Sequence, residues 1–242
     1  MAKNRALRIT KKIIKYLCIA VCAAVIAFLV WRGFFSDIPP KSMENLVIND
    51  SLAEAYREHG TLTLNYRDYD NVTRADRNHG YFYITRVDII PEANQIQIVF
   101  RYNNSTIKAL AEDYGLTEIP SREADLFDLT LVKVTDLTPD ITEDNASKDF
   151  DSDVMESVRY SPTESYTVSD QKNMYNYRKL VFENVDIDEN TLALYVDIYY
   201  NEDINYEETS YGTVEIWDYL AYERTRELTG DDVRALENWR GQ

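Results

Sequence analysis

The sequence predicts a mainly β protein: an antiparallel β-sandwich with short flanking helices, preceded by one transmembrane helix. Three observations carry this reading. Stretches rich in aromatic and β-branched residues recur at short spacing between Tyr81 and Glu223. One long apolar run, Ile13–Phe35, follows a purely basic N-terminus. Everything beyond that run is acidic and rich in tyrosine, and it contains no cysteine.

The run reads IIKYLCIAVCAAVIAFLVWRGFF and carries no charge between Tyr16 and Trp31. At ~1.5 Å of rise per residue it reaches about 34 Å, enough to cross a hydrocarbon core of about 30 Å. Lys15 and Arg32 stand at its two ends, where long side chains snorkel to headgroups, and Tyr16 and Trp31 lie at the same levels as aromatic belt residues. A cleaved signal peptide would need a small-x-small site after the run, and WRGFFSDIPP supplies none. A lipid-anchored cysteine would need a small residue before it, whereas Leu17 precedes Cys18 and Val21 precedes Cys22. The run therefore reads as an uncleaved signal anchor. Cys18 and Cys22 share one helix face, most simply as small packing residues.

Seven Lys or Arg and no acidic residue occur before Asp37, so the positive-inside rule places the N-terminus in the cytoplasm and exports the rest. Setting those seven charges aside from the chain total of −16 leaves −23 beyond them. A domain this acidic does not attract nucleic-acid phosphates, and it is repelled by anionic lipid surfaces. The expected organisation is a basic cytoplasmic tail (1–12), the anchor (13–35), a Pro-stiffened linker (36–43) and an acidic extracytoplasmic domain (44–242). Both cysteines fall in the anchor, so the domain relies on its core or belongs to an organism that exports proteins without routine oxidation.

Along the exported part, Asn49 or Asp50 caps a short helix that stops at Gly60, and Thr61–Arg67 alternates as a strand. Tyr81–Ile90 is a strand whose alternation slips near Thr85–Val87, as at a bulge. Gln95–Tyr102 puts Ile96, Ile98, Phe100 and Tyr102 on one face, Thr106–Tyr114 forms a short helix, and Leu126–Thr135 returns to strand. Asp136–Asp153 is an acidic loop. Val158–Val168, Met174–Ile187, Thr191–Asn201 and Gly212–Glu223 supply the remaining strands, and a helix over 230–240, capped by Thr229, closes the chain. Short strands at this spacing are immunoglobulin-like in the loose sense, without the inter-sheet cysteine pair. Ile84–Asn104 and Phe182–Glu202 echo each other, VDI and Tyr-Asn coinciding at a constant offset, as in two related half-domains or, preferred for a head of ordinary single-domain size, two hairpins of one sandwich using the same pattern.

Catalytic patterns are sparse. No two glycines are close enough to build a phosphate cradle, and His59 and His79 belong to neither an HExxH helix nor a GxSxG-associated triad. Ser42–Met43 just past the anchor has the form of a signal-peptidase nucleophile, but no lysine base follows in a suitable strand. Asp186, Asp188, Asn190 and Asp197 offer calcium-like oxygen ligands, yet Thr191 occupies the position that needs glycine. No cofactor or metal is expected. The most suggestive feature is aromatic: Tyr195 and Tyr199 on one face of Thr191–Asn201, and Trp217 and Tyr219 on one face of Gly212–Glu223, with carboxylates nearby. If these strands pair, the four rings form a face that stacks on a glycan or grips an envelope protein. The expected function is a non-catalytic binding, adaptor or structural module. The alternative is an exported hydrolase of envelope polymers working through carboxylates.

Overall fold

The computed structural model describes residues 2–34, 39–68, 82–113, 115, 117–121, 126–136, 155–200, 210–218 and 224–241. The chain divides into two compact units, Met1–Ile38 and Pro39–Gln242. The first is a single helix, α1 (Ala2–Phe34). Its segment Lys12–Trp31 has a mean hydropathy of 2.7, long and apolar enough to cross a membrane. Ile13, Leu17, Phe28 and Leu29 are more than half exposed on it, as are Tyr16 and Trp31. Lys15 and Arg32 both lie on this helix, whereas Phe35 lies outside the described residues.

The second unit contains two antiparallel sheets. Its strands are β1 (Leu64–Asp68), β2 (Tyr83–Ile90), β3 (Gln95–Asn103), β4 (Phe127–Asp136), β5 (Met155–Tyr160), β6 (Val168–Lys172), β7 (Tyr175–Phe182), β8 (Thr191–Tyr200), β9 (Ser210–Asp218) and β10 (Arg224–Arg226). A six-stranded sheet runs in the order β10-β1-β2-β3-β7-β6 and a four-stranded sheet in the order β5-β4-β8-β9. The slip in β2 is a bulge between Ile84 and Arg86. The stretch expected as a proline-interrupted strand over Val158–Val168 is the end of β5 and the start of β6, which belong to different sheets. Pro162 and the 3₁₀ turn Glu164–Tyr166 separate them, where proline supplies no donor for a ladder. The two echoing segments also part company. Ile84–Asn104 holds the β2–β3 hairpin, whereas the described part of the second segment, Phe182–Tyr200, carries the chain from β7 in one sheet to β8 in the other.

One apolar cluster draws on both sheets. Ile84, Val87, Ile96, Ile98, Phe100 and Phe182 come from the six-stranded sheet, and Leu129, Leu131, Leu194, Val196, Ile198 and Val214 from the four-stranded one. Rings of Phe82 and Tyr102 meet Phe127 of β4 edge-on at 4.8 and 5.1 Å, geometry that adds to the burial itself.

Strand β3 is buried at all nine positions, so its sheet is covered on the other face as well. There the cover is α2 (Lys41–Glu44), the extended stretch that follows it, α3 (Asp50–His59) and α5 (Gly230–Asn238); α4 (Asn104–Asp113) follows β3 directly. Asn49 caps α3 by accepting from Leu52 N at 3.0 Å, and Gly60 ends it at φ 73°, a left-handed turn that glycine adopts without strain. Thr229 and Asp232 form a reciprocal capping box on α5. Leu52, Ala55, Leu62, Leu64, Ile90 and Leu236 make a second core under the two helices. Of the stretch expected as linker, Pro39–Met43 belongs to this unit, and Met43 is buried against Val99 and Tyr177. The acidic loop expected over Asp136–Asp153 lies outside the described residues except for Asp136.

The covering stretch Glu44–Val47 is held by side chains rather than by a ladder. Arg86 Nη1 donates to Glu44 O at 2.8 Å, Lys179 Nζ to Asn45 O, and Leu46 N donates to Asp232 Oδ1 at 2.7 Å. Gln97 takes both main-chain groups of Val47, each at 2.9 Å. Replacing Gln97 with Leu keeps the shape and orphans both groups of Val47. This is expected to cost about 1–3 kcal/mol of stability, seen as a lower denaturation midpoint; an unchanged midpoint contradicts the assignment.

Candidate functional site

The candidate rings lie on the four-stranded sheet, and strand alternation decides which face each takes. In β8, Leu194, Val196 and Ile198 point into the core, so Tyr195, Asp197 and Tyr199 take the opposite face. Register brings neighbours to each of them. Asp197 lies between Thr130 and Thr213, Tyr199 opposite Asp128, and Tyr195 between Val132 and Glu215. Val132 in turn pairs with Arg159 of β5.

Asp197 is the centre of this face. It accepts from Thr213 Oγ1 at 2.6 Å and from Tyr199 OH at 3.3 Å, and Arg159 Nη1 approaches it at 3.1 Å. The same guanidinium donates to Tyr199 OH at 3.3 Å. That bond, ahead of the charge on Asp197, holds the Arg159 pKa above its ordinary value. Partial burial pushes the Tyr195 hydroxyl up, and the charge and hydrogen bond of Glu215 and the charge of Asp218 add to it. Tyr195 is therefore a neutral donor throughout the physiological range. The face combines two phenols, a tethered guanidinium and several carboxylates, which suits hydrogen bonding and stacking more than proton transfer.

Trp217 does not join it. A register shift between Leu194 and Tyr195 makes β9 carry one extra residue, so Glu215 opposes Tyr195 while Trp217 opposes Leu194, an inward position. Trp217 accordingly packs against the main core. Tyr219 lies outside the described residues. Conversely, Arg159 and Thr213 were not singled out by the sequence reading. Their signal is cross-strand pairing, which alternation within one strand does not contain.

The other sequence candidates take structural roles. Ser42 Oγ donates to Asp170, and the buried Lys179 donates to Asn45 O, so both side chains are engaged elsewhere. Asp188 accepts from Asn190 N and Thr191 Oγ1, both at 3.0 Å, closing the turn before β8, while Asp197 is bound to Arg159 on the outer face. Among the described residues no group of three or more His, Cys, Asp or Glu side chains is placed to hold a metal ion. His59 is exposed at the end of α3, and His79 lies outside the described residues.

Comparison of the chain with protein-family models, curated proteins and solved structures finds no match.

The two aromatic positions separate in a stability measurement. Trp217→Ala is expected to cost about 2–4 kcal/mol because it opens a cavity beside the core. Tyr195→Ala, on the outer face, is expected to cost less than about 1 kcal/mol. Equal losses in chemical denaturation would show that both rings are core.

Proposed function

We propose that the chain is a single-pass membrane protein whose N-terminus is cytoplasmic and whose acidic head is extracytoplasmic, working as a non-catalytic binding or adaptor module at the cell envelope. The observation that carries the anchoring is the apolar helix Lys12–Trp31. Orientation follows from the six basic residues that precede the uncharged core of the run and the −23 that lies beyond it. The two sheets are read as a β-sandwich, loosely immunoglobulin-like, because one core is shared between them.

The binding face in this reading is the outer face of the four-stranded sheet, with Tyr195 as the aromatic contact and Arg159, Asp197 and Glu215 as the polar ones; Tyr199 is buried at 9% exposure and orients Arg159 and Asp197 from within the face. Trp217 is the scaffold behind it. Recognition of an envelope protein or glycan by this face needs no bond-making step, and the fixed Arg159–Asp197–Tyr199 constellation limits the ordering cost on binding.

Two measurements test this. Protease applied to the outside of intact cells is expected to digest a C-terminal epitope tag and spare an N-terminal one; the reverse pattern overturns the orientation. Full-length protein in detergent is expected to retain an envelope component, protein or glycan. Tyr195→Ala combined with Asp197→Asn is expected to lose at least about tenfold in affinity, or roughly 1.4 kcal/mol. Undiminished capture by the variant removes this face from the proposal.

A further inference from the structure

The stretch Glu44–Val47 crosses the outer face of the six-stranded sheet without a main-chain hydrogen bond to any strand among the described residues. Its fixing points are side chains from four different elements: Arg86 of β2, Gln97 of β3, Lys179 of β7 and Asp232 of α5. Beneath it lies a cluster of charges shielded from water. Asp88 and Lys179 are fully buried and Asp232 nearly so. Asp88 is bracketed by Arg86 at 2.6 Å and Arg226 at 3.2 Å.

Lifting this stretch would leave every ladder bond of both sheets in place. The main-chain groups of Glu44, Asn45, Leu46 and Val47 would exchange a side-chain partner for water, at small net cost each. The buried charges would regain hydration, a gain that favours the open form. Opposing release are the apolar contacts of Met43 and Leu46, the buried Pro40, and the bonds of Pro39 O to Lys172, of Ser42 to Asp170 and of Lys41 to Asp231. The arrangement is thus covalently continuous with the fold but not woven into it.

We propose that Pro39–Val47 is a releasable strap, docked on the six-stranded sheet in one state and detached from it in another, with both sheets intact in each. Its consequence for the tether rests on the anchoring reading above: release adds nine residues, up to about 30 Å of contour, to the connection between helix and head.

The charge beneath the strap gives docking a pH dependence. Burial, followed by the charge of Arg86, pulls the Lys179 pKa down to about 8, with Arg226 acting in the same direction and Asp88 and Asp232 opposing. In the detached state the ammonium meets water and titrates near its ordinary value of about 10.4. The detached state then binds the proton more tightly, so detachment is suppressed as pH rises from about 8 towards about 10 and is insensitive to pH below that window.

Hydrogen exchange on the full-length chain in detergent or nanodiscs tests this, with rates divided by the intrinsic rate at each pH. The Leu46 and Val47 amides are expected to exchange at least tenfold faster than those of Ile98 and Phe100 in β3. Their opening is expected to fall by about tenfold between pH 8 and pH 9.5. Lys179→Met is expected to remove that pH dependence. Strap amides that exchange at the β3 rate in the native chain, or opening that is unchanged between the two pH values, overturn the proposal. Because the readout is amide exchange within the head, it stands or falls independently of which way the helix points.

Discussion

Strand β3 is buried on both faces, and that constraint shapes most of the head. Its inward residues, Ile96, Ile98, Phe100 and Tyr102, are apolar and meet the four-stranded sheet. Its outward residues include Gln95, Gln97, Arg101 and Asn103, which cannot be covered by an apolar layer without losing hydrogen bonds. The cover must offer polar groups, and an irregular main-chain segment does so. Val47 meets Gln97 with both an N–H and a carbonyl. Asn103 turns its side chain onto the first amides of α4, and Arg101 lies over the rings of Tyr83 and Tyr175 at 5.2 and 4.5 Å.

The charges follow the same logic. Lys179 and Asp88 sit in rows beside Val99 and Gln97, so covering the sheet buries them too. Each is retained because it has partners: Asp88 two guanidinium groups, Lys179 a carbonyl. Asp232 serves two purposes at once, closing the capping box of α5 and accepting from Leu46. Substituting it therefore perturbs the C-terminal helix and the strap together. The four-stranded sheet differs: Asp128, Thr213, Glu215 and Arg159 remain exposed on its outward face. That contrast is why recognition is assigned to the second sheet and conformational release to the first.

Much of this was legible in the sequence where a signal is local. The bulge at Thr85, the face of Gln95–Tyr102, the cap at Thr229 and the stop at Gly60 are written within a few residues of where they act. Signals that depend on pairing were not. The shift that turns Trp217 inward involves one residue of β9 measured against β8, and alternation in β9 alone places Trp217 with the outward set. Arg159 likewise reaches Asp197 only because β5 pairs with β4 and β4 with β8. The stretch 36–43 reads as a linker from its paired prolines, yet Ser42 is bonded to Asp170, 128 positions away in the chain, and Met43 is buried against Val99 and Tyr177. A segment recruited by buried polar groups carries little mark of that role in its own composition.

The central claim is that the residues directly following the linker prolines belong to the fold rather than to the tether. Chemical denaturation of two soluble heads, one beginning at Pro39 and one at Asn49, tests it most directly. The account predicts that the shorter head loses about 2 kcal/mol or more, from the burial of Met43 and Leu46 alone. Identical midpoints and slopes would contradict it, and would place residues 39–48 outside the fold.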